Sequence, residues 1–190
     1  MKSLTYVLLA INVVVFGLEM QFGNPFIERF ALWPLHHGFA WWQLVTSAFL
    51  HGYPLHLFVN MFGLWMFGRE VERALGALRF AQLYFLSAVT AALAQLAVTA
   101  ALHQTEATLG ASGAVFGILG AFALLYPRRI IMLLFPPIPL PAPVFVFGYA
   151  AIELAMGVLG TEAGVAHFAH LGGLAGGLWL VWLWRRRRYR

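Results

Sequence analysis

Six long apolar segments divide this 190-residue sequence and constrain its fold more than any other feature. A helix needs about 20 predominantly apolar residues to cross a bilayer, and each segment approaches that length. Only 10% of the residues are charged, against about 25% in soluble domains, so lipid must cover most of the surface. We therefore expect an all-α membrane protein with six transmembrane helices. The segments cover approximately residues 4–20, 55–71, 80–102, 112–126, 144–159 and 167–184.

The region between the first two segments, residues 22–53, differs in character from both. It is rich in aromatic side chains and contains two prolines, so it is too irregular for a span and too apolar for a water-exposed loop. Its tryptophans, Trp33, Trp41 and Trp42, suit the headgroup region of a bilayer. We expect this first loop to form an interfacial structure.

The basic residues predict the orientation of the chain. If the N-terminus is cytoplasmic and the six segments alternate, only Arg29 of the twelve basic residues lies outside. This is a strong positive-inside pattern, and it predicts cytoplasmic termini. The net charge of +5 then reflects topology and contact with anionic lipid, not nucleic acid. We expect one domain over residues 1–190, with a basic tail at 185–190 that anchors to the lipid surface.

Polar and ionisable side chains within the apolar segments are the candidate functional residues. Such groups are costly in lipid, and they usually face the interior of a bundle and carry function. With the predicted topology, the clusters in segments two, four and six all lie toward the outer side of the membrane. They comprise His51, His56 and Asn60, then Ser112, and then His167 and His170.

Small residues at helical spacing predict how two of these clusters meet. Glycines four residues apart form a face through which two backbones can approach closely. Segments four and six each carry such a face, and the face in segment six also includes His170. If the two faces pack together, Ser112 and His170 lie side by side. The glycines concerned are Gly113 and Gly117 in segment four, and Gly173 and Gly177 in segment six.

A serine beside a histidine suggests nucleophilic catalysis. A hydroxyl becomes a good nucleophile when a neutral imidazole takes its proton, and acyl transfer also needs donors aimed at the developing oxyanion. His56 and Asn60 share a helix face and can donate, as can the backbone N–H of Ser112 at a helix N-terminus. The chain contains no aspartate, which excludes a Ser-His-Asp triad, but a dyad needs no acidic third member.

Four short motifs resemble those of the rhomboid intramembrane serine proteases of the minimal six-helix type. Each motif is weak alone, but their order and their places in the predicted spans make the combination specific. The resemblance covers nearly the whole chain and implies a six-helix bundle with a membrane-embedded first loop. The motifs are HLFVN at 56–60, GREVERALG at 68–76, GASG at 110–113 and AHLGG at 169–173.

The resemblance also implies roles for individual residues. Ser112 would be the nucleophile and His170 the base, and the oxyanion site would comprise His56, Asn60 and the backbone N–H of Ser112. Phe116 would take the place of an aromatic residue that packs on the catalytic histidine. Gly110 and Gly113 would leave room around the serine, and Gly173 and Gly177 would support the approach of the sixth helix.

The implied substrate is a transmembrane segment of another protein, cut near its outer end, with small residues favoured at the cut. The fifth span and the loop at 160–166 would form a mobile gate and a cap. No cofactor or metal is implied, and the oligomeric state stays open. We expect a bacterial or archaeal plasma membrane, with the active site opening to its outer side.

Several assignments keep an alternative. His167 lies one turn before His170 and is the rival base. Asn60 could hold two helices together by a hydrogen bond, a role compatible with oxyanion binding. His51 is interpreted as a structural residue.

Two glutamates, Glu72 and Glu153, lie at the end of a predicted segment or within one. Glu72 is expected to pair locally with Arg69 or Arg79 as part of a scaffold on the inner side. Glu153 lies within the fifth segment, where it could face a polar interior, and it receives no role.

Three other functions compete with proteolysis. A catalytically silent rhomboid-like protein would bind transmembrane clients, but such a protein is expected to lack Ser112 or His170. A membrane metalloprotein could use the seven histidines, although their spacing matches no zinc signature. A transporter is disfavoured because the sequence lacks paired broken helices in two matching halves.

Overall fold

A computed structural model describes residues 3–133, 136–160 and 166–188 of the chain. Helices account for most of this part, and one short β-hairpin follows the seventh helix. The predicted segments all coincide with helical structure, often to within a few residues at each end. The helices are α1 (Leu4–Phe22), α2 (Asn24–Phe30), α3 (Gln43–Thr46), α4 (Pro54–Gly63), α5 (Arg69–Leu75), α6 (Ala77–Ala101), α7 (Ser112–Leu125), α8 (Ala142–Leu159) and α9 (His167–Arg188), and the strands are β1 (Ile130–Met132) and β2 (Pro139–Pro141).

The helices differ in how they could cross a bilayer. Within the described ranges, α1, α6 and α8 are long and apolar enough to span a membrane by length and composition. The second predicted segment is a helical run in which a π-helical turn, Leu64–Gly68, joins α4 to α5. Helix α7 has 14 residues and α9 has 22. The architecture is thus a helical membrane bundle, and the count of six crossings stays a prediction.

The first loop is ordered by its own hydrogen bonds. It contains α2, α3 and a 3-10 turn at Ser47–Phe49, and an antiparallel bridge joins Leu32 to Thr108 just before α7. The indole N–H of Trp33 donates to the carbonyl of Glu28 at 2.7 Å, while Trp41 is 75% exposed. The loop is therefore held against the segment that leads into α7, and it keeps aromatic rings on its outer surface.

The two connections near the C-terminal helices differ from simple loops. The proline-rich connection between α7 and α8 includes an antiparallel hairpin in which Ile130 lies opposite Pro141. The loop predicted to cap the site lies largely outside the described residues, since 161–165 are not described.

The predicted basic tail is partly helical. Helix α9 continues through Arg188, because arginine is a good helix former and its charge suits a helix C-terminus. Arg185 donates to the carbonyl of Leu124 at the end of α7, and the guanidinium of Arg186 lies 4.0 Å from the centroid of the Trp182 ring. The tail is thus an extension of the last helix up to the last described residue.

Helix α7 forms the centre of the bundle. All its residues from Gly113 to Ala123 are buried, and α9 packs against both α6 and α7. Glycine makes the α7–α9 contact possible, since a Cβ added at Gly177 would lie 2.5 Å from the carbonyl oxygen of Gly117. A Cβ added at Gly173 would overlap the backbone of Gly113 in the same way. The two backbones therefore touch along the faces that the sequence indicated.

Glu72 is positioned differently from the sequence-based expectation. Instead of pairing with a nearby arginine, its carboxylate accepts hydrogen bonds from the start of α1. The Leu4 N–H lies at 2.6 Å and the Thr5 N–H at 2.9 Å, and the Ser3 and Thr5 hydroxyls also donate to it. The first N–H groups of a helix have no intrahelical partner, so a carboxylate there is favourable. The arginines proposed as partners lie over aromatic rings, Arg69 over Tyr6 and Trp65 and Arg79 over Trp184.

We expect Gly173→Val to lower the free energy of unfolding by about 1–3 kcal/mol, the cost of overpacking a close contact. The added atoms meet the backbone of Gly113, which cannot rotate away. Gly148→Ala is the control, because a Cβ at Gly148 meets nothing within 4 Å; it should change stability by no more than about 1 kcal/mol. Unfolding followed by circular dichroism in detergent checks both. Equal stability of the two variants would contradict the packing argument.

We also expect Glu72→Ala to destabilise the protein by about 1–3 kcal/mol, since it leaves donors at the start of α1 unpaired. Glu70→Ala on the same helix is the matched control. Glu70 pairs with the exposed Arg73 at 2.8 Å, and such pairs contribute about 0–1 kcal/mol. The same unfolding measurement separates the two. A larger effect of Glu70→Ala would show that the capping contact does not stabilise α1.

Candidate functional site

Ser112 is the first residue of α7, and the turn before it depends on glycine. Gly110 has a φ of +133°, a conformation that L side chains rarely adopt. A Cβ there would also lie 2.8 Å from the imidazole Nε2 of His56. The Gly110 N–H donates to the carbonyl of Ser47 at 2.9 Å, which ties this turn to the first loop. Ser112 is consequently presented half-buried at the start of a buried helix.

His170 of α9 lies directly beside this serine. The distance between His170 Nε2 and Ser112 Oγ is 2.8 Å, and only 9% of His170 is exposed. The approach of α9 to α7 at Gly113 and Gly173 places the ring there. Of the two candidate bases, His170 is the one in contact with Ser112, while Nδ1 of His167 contacts Glu153 at 2.8 Å.

Phe116, one turn after Ser112, stacks on the imidazole of His170. The ring centroids are 4.5 Å apart and the planes are nearly parallel, at 3°. Tyr149 of α8 packs against the same phenylalanine with a centroid distance of 4.9 Å. The stack restricts the plane in which the histidine ring can lie.

His56 and Asn60 lie on α4 beside the serine. The side-chain amide of Asn60 donates to the carbonyl of His56 at 3.1 Å, and an amide nitrogen carries a second hydrogen for another acceptor. The His56 ring packs edge-on against His51 with a centroid distance of 5.1 Å. His51 is fully buried, and its backbone N–H donates to the carboxylate of Glu19 at 3.0 Å. His51 thus supports His56 from behind.

A cavity of about 980 Å³ joins these side chains. Its wall includes residues from the first loop, α4, α6, α7, α8 and α9. A hydroxyl, an imidazole and further donors thus face one space that an extended peptide could enter. The sequence-predicted residues that line it are His56, Asn60, Gly110, Ser112, Gly113, Phe116 and His170, whereas Gly173 and Gly177 lie behind them in the α7–α9 contact.

Glu153 is the residue at this site to which sequence reasoning gave no role. Its carboxylate Oε2 lies 2.8 Å from Nδ1 of His170 and 2.8 Å from Nδ1 of His167, and only 4% of the residue is exposed. The sequence does contain a pattern that could have indicated this contact, because His167 and His170 are three residues apart and share a helix face. A carboxylate within an apolar span also needs a partner.

The arrangement can perform acyl transfer. A hydroxyl 2.8 Å from an imidazole nitrogen has the geometry of a nucleophile with its general base. The backbone N–H groups at the start of α7 have no intrahelical partner and suit a developing oxyanion. Donors from α4 lie on the same cavity.

The chain matches the sequence profile described as Rhomboid domain over residues 38–187. It is 36% identical over 191 aligned residues to Rhomboid protein 1, mitochondrial, of Saccharomyces cerevisiae, covering 95% of this chain and 53% of that protein. It is 31% identical to Presenilin-associated rhomboid-like protein A, mitochondrial, of Danio rerio, covering 76% of this chain and 39% of that protein. It is also 31% identical to Rhomboid protease GluP of Bacillus subtilis, covering 63% of this chain and 24% of that protein.

The chain spans about half the length of the yeast relative and less of the other two. The shared part is the helical region that holds the site, since the profile includes the residues from His56 to His170. The chain belongs to the rhomboid family.

Proposed function

We propose that this protein is an intramembrane serine protease that hydrolyses peptide bonds in or near transmembrane segments of other membrane proteins. The observation that carries the proposal is the distance of 2.8 Å between Ser112 Oγ and His170 Nε2 at the wall of a cavity. Membership of a family that includes a relative named as a protease supports it.

Hydrolysis would proceed in two stages. Ser112 Oγ attacks the scissile carbonyl carbon while His170 Nε2 takes the hydroxyl proton, and the carbonyl oxygen becomes an oxyanion. His170 then gives that proton to the leaving amine as the C–N bond breaks, which leaves an acyl ester on Ser112. In the second stage, water gives a proton to His170 and attacks the ester. His170 then returns this proton to Ser112 Oγ as the bond between Oγ and the acyl carbon breaks, and the acid product leaves.

The oxyanion would be stabilised by donors from two helices. The backbone N–H of Ser112 is one, and the side chains of His56 and Asn60 are the others. Donors fixed before the reaction cost no reorganisation when charge develops, so they lower the barrier. Because the Asn60 amide already contacts the His56 carbonyl, its orientation is set in advance.

The proposed partners are transmembrane proteins and the lipid bilayer. A peptide must be extended to expose its carbonyl to Ser112, which favours substrate segments with small residues near the cut. The active site is proposed to open to the outer side, with cytoplasmic termini, following the positive-inside pattern. The relatives include mitochondrial proteins, which do not support the expectation of a bacterial or archaeal plasma membrane, and we do not propose a particular membrane.

Replacement of either member of the dyad is expected to abolish cleavage. Ser112→Ala removes the nucleophile and His170→Ala removes the base, so each should lower turnover by at least about 1000-fold. The assay uses purified protein reconstituted into vesicles with a fluorescent single-span substrate. A fluorophosphonate probe should label the parent at Ser112, and neither variant.

His36→Ala is the control for this experiment, since His36 is an exposed residue of the first loop and its change should leave turnover as in the parent. Cleavage by Ser112→Ala at the rate of the parent would refute the dyad. A parent that binds the substrate stably without cleaving it would indicate a catalytically silent relative.

Loss of an oxyanion donor should lower turnover less than loss of Ser112 or His170. His56→Ala and Asn60→Ala are each expected to lower turnover by about 10–1000-fold while the protein stays folded. Asn12→Ala is the matched control, because buried Asn12 also donates to the carbonyl four residues earlier, at 2.8 Å. It should affect melting temperature and leave turnover nearly unchanged. If Asn60→Ala unfolds and Asn12→Ala does not, Asn60 serves chiefly to hold the helices together.

A further inference from the structure

Helix α8 buries a single carboxylate on an otherwise apolar face. Its buried residues are Ala142, Val146 and Glu153, whose spacing of four and seven places them on one side of a helix. Only 4% of Glu153 is exposed. Burial of a carboxylate within a bilayer is costly unless other groups bind it, so the partners of Glu153 explain its presence.

Both partners are histidines of α9. Oε2 of Glu153 lies 2.8 Å from Nδ1 of His170 and the same distance from Nδ1 of His167. A carboxylate oxygen has two lone pairs and can accept from both rings. The His170 ring also contacts the nucleophile, because its other nitrogen, Nε2, lies 2.8 Å from Ser112 Oγ. The atoms therefore form an unbroken line from α8 through α9 to α7.

We propose that Glu153 is a positioning residue for His170, and that the protein uses a Ser112–His170–Glu153 triad in place of a bare dyad. This inference rests on the proposed proteolytic function. By accepting a hydrogen bond from Nδ1, the carboxylate keeps the hydrogen on that nitrogen and leaves Nε2 free to take the hydroxyl proton. It also stabilises the imidazolium that then forms, as the acidic member of a serine protease triad does.

His167 has a supporting part in this arrangement. Its Nδ1 contact holds the shared oxygen of Glu153 between the two rings, so the carboxylate cannot turn away from His170. Phe116 stacks on the face of His170 and sets the plane of the ring, while Glu153 sets which nitrogen carries the hydrogen. Because Glu153 lies on α8, the orientation of His170 depends on α8 staying packed against α9.

The kinetic test compares three substitutions with the parent. Glu153→Gln should lower kcat by about 10–100-fold, the range for loss of a hydrogen bond to a charged partner. KM should stay within about twofold, since uniform substrate binding is unaffected. Glu153→Asp keeps a carboxylate and should recover part of the lost turnover. Glu70→Gln is the control, since it removes a carboxylate of α5 that pairs with the exposed Arg73 at 2.8 Å, and it should stay within about twofold of the parent.

A second measurement does not depend on cleavage. In protein labelled with ¹⁵N-histidine, the Nδ1 resonances of His167 and His170 are assigned by their loss in His167→Gln and His170→Gln. Glu153→Gln should shift both resonances, whereas Glu70→Gln should shift neither. If the parent fails to cleave any substrate but these shifts occur, the proposed function fails while the positioning contact stands.

Two results would overturn the inference. One is a kcat for folded Glu153→Gln within about twofold of the parent. The other is Nδ1 resonances of His170 that do not change when Glu153 is replaced. Should Glu153→Gln fail to fold, Glu153→Asp decides, because a carboxylate withdrawn by one methylene must shift the His170 resonance if the contact exists, and an unchanged resonance refutes it.

Discussion

The contact between the backbones of α7 and α9 is the constraint on which the site depends. The apolar surroundings offer no hydrophobic gain from bringing two helices together, so packing must be close to be favourable. Glycines at Gly113 and Gly173 permit this, and the same contact sets the distance between Ser112 and His170. A nucleophile on one helix can meet a base on another only because no side chains separate the two backbones at this level.

Carboxylates, whose burial in lipid is energetically unfavourable, explain much of the remaining architecture. In each case a carboxylate within or beside an apolar helix binds groups from a different segment of the chain. Glu72 binds the start of α1, Glu19 binds the backbone of His51, and Glu153 binds the two histidines of α9. Since an unpartnered charge in lipid is unfavourable, each pairing fixes how two segments lie relative to one another. Two of these pairings lie next to the cavity. Glu19 binds His51, which packs on the cavity residue His56. Glu153 binds His170, which lines the cavity itself.

The helix bounds followed closely from the sequence, because the length and apolarity of a span are local properties. The convergence of Ser112 with His170 could also be inferred, from glycine spacing and from the order of the family motifs. The predicted partner of Glu72 is wrong, because helical spacing favours arginines on nearby turns. Its carboxylate instead accepts a hydrogen bond from the N–H of Leu4, which is 68 residues away in the sequence. Glu153 received no partner for a related reason. Its helix is connected to α9 through a loop whose geometry the sequence does not specify, so the rotation of α8 about its axis was unknown.

The amino-acid sequence therefore determined the helical segments, the family and the residue types available for chemistry, because hydrophobic length and motif order are readable along the chain. The partners of buried polar side chains came only from the three-dimensional packing. Which carboxylate meets which histidine depends on helix rotation and depth in the bundle, and these are set by the sum of many weak contacts between segments distant in sequence. The line of contacts from Glu153 through His170 to Ser112 joins residues on three helices, and its existence follows from their packing alone.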